Sequence, residues 1–184
     1  MSYKTTALLV VLAVVVGGFL YWWLNRPPEL GPPGPPQFYG VDFDSINKIK
    51  VQYQGKTQEI VRGQGDADWS FTDPSIGQVD LGRVNGIRLL VSGPMSKRML
   101  DSPFQEEARD LKEYGLDPPQ ISLTVGLDDG TEFDIDIGEK SADGQKHYAK
   151  FKDFEPVFLI DYTWGNELAR FVTEPPVLKE QKAG

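Results

Sequence analysis

The chain contains a single histidine, His147, and no cysteine. Histidine is the usual general base beside a nucleophile, so a Ser-His-Asp arrangement would have to use this imidazole. The sequence contains no G-x-S-x-G nucleophile elbow to accompany it. His147 instead lies in KHYAKF, an alternating segment typical of a strand. We therefore predict that His147 is a polar surface residue, that no residue is catalytic, and that the protein is not an enzyme.

Acidic residues are the second set that could do chemistry, because carboxylate oxygens bind hard cations. Their spacing does not follow the D-x-D-x-D-G pattern of a calcium loop. In the segment TEFDIDIG two aspartates project from one strand face, as on a solvated sheet. We predict no metal site and no cofactor, with a weak calcium site as the alternative. The acidic residues considered are Asp66, Asp68, Asp128, Asp129, Glu132, Asp134 and Asp136.

The charge balance bears on nucleic-acid binding. The formal net charge is −8, whereas binding a phosphate backbone needs a basic patch that releases counterions. The densest cationic cluster is the pair Lys97-Arg98, which is not a stripe. The sequence therefore predicts no nucleic-acid partner.

The segment EYGLDPP, residues 113–119, has the chemistry of a structural hinge. Gly115 can adopt a positive φ and end the preceding helix, and Leu116 then packs back as the apolar contact after the cap. Pro118 restricts Asp117 to extended conformations, and Pro119 cannot prolong a helix. We predict that this segment stops a helix and starts a strand.

Alternating apolar residues and glycine-bearing turns predict strands, and helical spacing predicts two longer helices. Each half of the domain reads as a hairpin, one or more further strands and a helix, which predicts an α+β fold with an antiparallel sheet covered by helices. The predicted strands are 46–53, 57–63, 69–71, 121–127, 131–138, 146–151 and 156–161, and the helices are 79–93 and 164–172. The predicted inward-facing residues are Trp69, Phe71, Leu90, Leu123, Val125, Phe133, Ile135, Ile137, Phe158 and Leu168.

Residues 7–24 form an uncharged, almost wholly apolar run. A helix needs roughly 20 such residues to cross the hydrocarbon core, and Thr5 and Thr6 extend the run. A cleaved signal peptide is the alternative, but the run ends in the bulky FLYWWLNRPP without a small-x-small cleavage site. The sequence therefore predicts a single-pass signal-anchor that stays in the lipid bilayer.

Residue types within this run indicate how the anchor is used. Tyr21, Trp22 and Trp23 have side chains that prefer the headgroup level. Gly17 and Gly18 would let the backbone of a partner helix approach closely, although two glycines in a lipid-facing helix are an equal alternative. A short N-terminal tail before an anchor favours export of the domain. We predict an anchor in the membrane, with the domain outside the cytoplasm.

The segment PPELGPPGPP, residues 27–36, has six prolines in ten positions and predicts a stiff extended spacer. At roughly 3.1 Å per residue it could hold a domain about 30 Å from the membrane. The predicted divisions are a tail and transmembrane anchor at 1–25, a Pro-rich linker at 26–37, a soluble α+β domain at 38–174, and a C-terminal tail at 175–184.

Several separated features resemble the bacterial domain-of-unknown-function family numbered 4340. They are the W-x-F of Trp69 and Phe71, the EYGLDPP segment, the strand ISLTVGL with its DDG turn, FDIDIGE ending at Glu139, and the later HYAKF. The likeness covers about residues 41 to 172. The resemblance implies a membrane-anchored extracytoplasmic domain, with relatives linked to transport-type membrane assemblies. For a bacterial protein this means a location in the inner membrane, with the domain on the periplasmic side. It carries no established catalytic residues, so none are transferred.

Two classes of function remain from the sequence. The first is a non-catalytic accessory or scaffold subunit that is bound to integral membrane proteins of a larger complex. Transport, respiratory and photosynthetic complexes are not distinguished. The alternative is an extracytoplasmic binding module that recognises a glycan, a peptide or a metal ion.

Overall fold

The computed structural model describes residues 39–65, 67–93, 110–154 and 156–178. The predicted membrane span at 7–24 and the Pro-rich linker lie outside the described residues, and so does Asp66 of the acidic set. The anchor residues Gly17, Gly18, Tyr21, Trp22 and Trp23 therefore stay predictions. No helix within the described ranges is both long and apolar enough to cross a membrane.

Within the described residues, seven antiparallel strands form one sheet, which confirms the predicted α+β class with an antiparallel sheet. The strands are β1 (Ile46–Tyr53), β2 (Lys56–Arg62), β3 (Trp69–Phe71), β4 (Ile121–Leu127), β5 (Glu132–Lys140), β6 (Lys146–Phe151) and β7 (Phe158–Asp161). Their order across the sheet is β3-β2-β1-β4-β5-β6-β7. The pairing of β1 with β4 joins the two halves of the chain, since all other neighbours are consecutive in sequence.

In the part of the chain that the structure describes, two α-helices follow these strands, one in each half: α1 (Leu81–Val91) and α2 (Tyr162–Thr173). Each begins at an aspartate whose carboxylate accepts main-chain N–H groups, namely Asp80 for α1 and Asp161 for α2. The N–H of Thr163 holds the pKa of Asp161 below its usual range. This cap therefore contributes stability above the ordinary carboxyl pKa, and the contribution is lost as the pH falls through the lowered value.

The hairpin turns lie at the glycine-bearing segments between the predicted strands. Gln54 and Gly55, both with positive φ, link β1 to β2 in a two-residue turn. The predicted Asp-Asp-Gly turn links β4 to β5, with Gly130 at φ 84°. The N–H of Thr131 donates to the carboxylate of Asp129 at 2.8 Å, which lowers the pKa of that carboxyl.

One face of the sheet and both helices form the hydrophobic core. The buried members include Ile49 and Leu123 from the central strands, Val84 from α1, and Trp164 and Phe171 from α2. The predicted inward-facing residues are all buried except Leu90 and Phe133, which are partly buried and pack against the cluster. Alternation in the strands and helical spacing in the helices therefore located this layer.

The opposite face of the sheet is polar. Thr124 and Ser122 of β4 donate hydrogen bonds to Asp134 and Asp136 of β5, and Lys48 pairs with Glu132 at 3.0 Å. As predicted, Asp134 and Asp136 share one strand face, where they accept cross-strand hydrogen bonds.

Two neighbouring residues of β5 test this assignment of faces. Ile135→Ala is expected to lower the free energy of unfolding by about 2–5 kcal/mol, because Ile135 is fully buried in the core. Asp134→Ala is expected to cost about 1 kcal/mol, since it removes one hydrogen bond from a side chain that is 41% exposed. Urea unfolding measures both, and equal midpoints would contradict the register of β5.

Candidate functional site

The predicted hinge ends a single turn of 3₁₀ helix, Leu111–Tyr114. Gly115 has φ 62° and ψ 29°, which confirms the predicted positive φ. Its N–H donates to the carbonyl of Lys112, and the N–H of Leu116 donates to the carbonyl of Leu111. Leu116 is buried, as expected for the apolar contact that follows a cap.

The two prolines turn the chain into β4. Leu116 and Pro119 form an isolated bridge across the turn, and the Asp117–Pro118 peptide bond is cis. The N–H of Gln120 then donates to the carbonyl of Ile137 at 3.0 Å, and β4 begins at the next residue. The structure therefore confirms that the segment stops a helical turn and starts a strand.

The hinge rests directly on the main chain of β5. A Cβ atom at Gly138 would overlap the carbonyl oxygen of Tyr114, and one at Gly115 would overlap the side chain of Glu139. Gly138 and Glu139 lie where the pairing of β5 with β6 shifts register, between Ile137 and Lys140. The glycines of YGLDPP and FDIDIGE therefore meet, although 22 residues separate them in the sequence.

His147 is buried behind this junction, so the prediction of a polar surface residue is wrong. Its Nδ1 lies 2.9 Å from the carbonyl oxygen of Gly138, and only 5% of the residue is exposed. Because a carbonyl only accepts, Nδ1 carries the proton. Nε2 faces Gly165 of α2, where an added Cβ would overlap the ring, and it has no hydrogen-bond partner among the described residues. The imidazole therefore packs between sheet and helix.

The acidic residues near the turns and strands are engaged with neighbours in the fold. Asp128 pairs with Arg62, Glu132 pairs with Lys48, and Asp129 caps its turn. Within the described residues, no group of three or more His, Cys, Asp or Glu side chains is placed to hold a metal ion.

A cleft of about 630 Å³ opens beside the hinge, and we call it the hinge cleft. Its walls come from the end of β1 with the following turn, and from the segment that leads into β4. The register that pairs Tyr53 with Ile121 brings these two parts together. The lining residues are Gln52, Tyr53, Gln54, Gly55, Pro118, Pro119, Gln120 and Ser122. The predicted hinge prolines thus lie at a cavity that the sequence did not indicate.

A second depression runs between α1 and α2, and we call it the helix groove. It consists of two hollows of about 740 and 280 Å³ that share Arg83 and Arg170. Gly86, Ile87 and Leu90 line the smaller hollow, and Pro175, Val177 and Leu178 line the larger one.

The groove wall formed by the last described residues is held in place by hydrogen bonds. Arg83 donates from Nη1 to the carbonyl of Pro175 at 2.9 Å and from Nη2 to that of Glu174 at 2.7 Å. Arg170 pairs with the Glu174 carboxylate at 3.2 Å. Main-chain bonds join Asp80 to Pro176 and Leu178 to Gln78. The groove is therefore already formed in the free domain.

One signal for the burial of His147 was present in the sequence. In KHYAKF the histidine has the same parity as Ala149 and Phe151, so the alternation itself places it on the apolar face. The two cavities had no comparable signal, because each is assembled from segments that are distant in sequence.

Of the comparisons with known proteins, the one with protein families found a match. A family model described as "Domain of unknown function (DUF4340)" matches residues 69–174, from the first residue of β3 to just beyond α2. The matched part includes the hinge, both helices and five of the strands, whereas β1 and β2 precede it. No curated protein and no solved structure matches the chain.

The glycine junction gives a direct stability prediction. Gly138→Ala is expected to lower the free energy of unfolding by more than about 2 kcal/mol, because its methyl group would overlap the main-chain oxygen of Tyr114. Gly86→Ala is the matched control, since nothing lies within 4 Å of a Cβ there and alanine favours the helix by up to about 1 kcal/mol. Thermal unfolding measures both, and a Gly138→Ala midpoint at or above that of the parent would refute the contact.

The buried histidine gives a second prediction. His147→Ala is expected to cost about 2–4 kcal/mol, because it leaves a cavity and removes the donor to the Gly138 carbonyl. Lys150→Ala, on the opposite face of the same strand, is expected to change stability by less than about 0.5 kcal/mol. Chemical unfolding compares the two variants. If the His147→Ala protein is as stable as the Lys150→Ala protein, the burial of His147 is contradicted.

Proposed function

We propose, given that this chain belongs to the DUF4340 family, that it is a non-catalytic, single-pass membrane-anchored accessory subunit of a larger membrane complex. The family description assigns no activity, so the proposal rests on the residues of this chain. Residues 7–24 serve as the anchor in the bacterial inner membrane, with the folded domain on the periplasmic side. In the anchor, Gly17 and Gly18 pack against helices of the integral membrane partner.

The position of His147 supports a role without catalysis. A general base must reach the proton that it removes, at about 2.6–3.2 Å or through one water. The sequence has one imidazole, that of His147. Its Nδ1–H donates a hydrogen bond to the Gly138 carbonyl, and its Nε2 faces Gly165 inside the core. Neither nitrogen lines the hinge cleft or the helix groove.

The observation that carries the proposal is the helix groove. Its ends present apolar side chains, and Leu178 is 53% exposed. The guanidinium of Arg83 already donates to the main chain of the groove wall. A partner would therefore meet a preformed apolar surface, so little free energy is spent on ordering it.

The shape of this groove and the glycine in its lining, Gly86, indicate which kind of partner segment it binds. An amphipathic helix docks in such grooves through apolar residues spaced three and four apart. Gly86 leaves open space where other residues would carry a side chain, so a partner helix can approach α1 closely. We assign the groove to an amphipathic helix of an integral membrane subunit, located where its chain leaves the bilayer.

A leucine at Gly86 tests this assignment without disturbing the fold. Gly86→Leu places an isobutyl group in the smaller hollow, where a Cβ meets no atom within 4 Å, and leucine favours the helix more than glycine does. We expect the variant to melt no lower than the parent. We also expect it to lose the integral membrane partner when the tagged full-length protein is purified from membranes in mild detergent.

The matched control is Asn166→Leu, which adds the same side chain at an exposed position of α2 outside the groove lining. This variant should retain the partner. Intact-mass analysis of the same preparations should show residues 1–24 still attached. If the Gly86→Leu protein keeps its partner, the helix groove is not the docking site. If the mature chain begins near residue 25, residues 7–24 are not a retained anchor.

A further inference from the structure

The hinge cleft has a lining that differs in kind from the rest of the polar surface. Three primary amides, a phenol and an alcohol line it, without a charged side chain. Glutamines at 52, 54 and 120 are exposed, whereas Tyr53 and Ser122 are half-buried. Elsewhere on the polar sheet face, by contrast, carboxylates and ammonium groups lie close together. The cleft is therefore suited to a ligand that is polar but neutral.

The polar groups are partly oriented before any ligand arrives. Gln54 donates from Nε2 to the Tyr53 hydroxyl oxygen at 3.0 Å, so the hydroxyl proton of Tyr53 remains available to donate. Ser122 donates from Oγ to Asp136 at 2.9 Å, which turns the lone pairs of its oxygen toward other donors. Pro118 and Pro119 make the facing wall stiff.

The backbone at Gln54 is a second, independent observation. Gln54 has φ 49°, and it is the only non-glycine residue with a positive φ among the described ranges. A two-residue turn of this kind favours asparagine, aspartate or glycine, whose side chains tolerate the left-handed region. A long amide at this position lies at the rim of the cleft in a sparsely populated conformation, as residues of ligand-binding sites often do.

From this combination we propose that the hinge cleft binds a neutral glycan. Each sugar hydroxyl both donates and accepts hydrogen bonds, and a primary amide offers the same pair of functions. The ring of Tyr53 and the two pyrrolidine rings supply apolar surface for the C–H groups of a sugar. A volume of about 630 Å³ lies within the usual range for small-ligand sites.

Two other ligand classes fit less well. A phosphate or an acidic peptide would need a cationic side chain, and the lining has none. A proline-rich peptide docks in grooves lined by several aromatic rings, whereas Tyr53 is the single aromatic residue of this lining. This site is independent of the helix groove, with which it shares no residue, so it adds to the accessory role and does not depend on it.

The experiment uses the full-length protein in lauryldimethylamine oxide, because detergents with sugar headgroups would compete for the cleft. The probes are the tetrasaccharides of N-acetylglucosamine and of α-linked glucose, followed by saturation-transfer NMR and by titration calorimetry. We expect at least one probe to bind. Gln120→Ala and Tyr53→Phe should each weaken it by about five- to tenfold, the loss of one hydrogen bond.

Two controls make the outcome specific. Gln145→Ala removes an exposed glutamine outside the cleft and should leave binding unchanged, and so should Gly86→Leu in the helix groove. The proposal is overturned if neither tetrasaccharide binds, or if binding is insensitive to both cleft variants. It is also overturned if a proline-rich decapeptide binds more tightly than the sugars and is weakened by the same two variants.

Discussion

The main chain of the hinge packs directly on the main chain of β5, because Gly115 and Gly138 lack the side chains that would keep the two segments apart. This contact fixes where the chain turns after the 3₁₀ helix and therefore where β4 begins. Since β4 pairs with β1, the same contact determines how the two halves of the sheet meet. Interiors are packed too densely to absorb a methyl group at such a position by small shifts alone.

The hinge cleft and the helix groove depend on different features of the fold. The hinge cleft lies at the end of the sheet where the β1–β2 turn faces the hinge prolines, so it depends on the register of β1 against β4. The helix groove depends on packing, because α1 and α2 both bury apolar residues in one core and both contribute residues to the groove lining. A change that shifts the hinge should therefore affect the cleft before the groove.

Local patterns in the sequence were sufficient for most elements. The alternation in ISLTVGL and FDIDIG predicted the inward faces, and Gly115 marked the end of a helical turn. The error at His147 came from weighing residue type above parity, although parity was correct. The cavities depend on long-range pairing, which no local pattern contains. The anchor stays a prediction, since it lies outside the described residues.

His147 provides a hydrogen-bond donor where the pairing of β5 with β6 shifts register. The register shift between Ile137 and Lys140 displaces the carbonyl of Gly138 from the regular ladder, and a buried carbonyl without a donor is costly. An aliphatic side chain at 147 would fill the space but could not donate a hydrogen bond to this oxygen. The flat imidazole donates from Nδ1 and still fits against the bare backbone of Gly165. Glycine at 138, histidine at 147 and glycine at 165 therefore form one structural unit that joins the hinge, the sheet and α2.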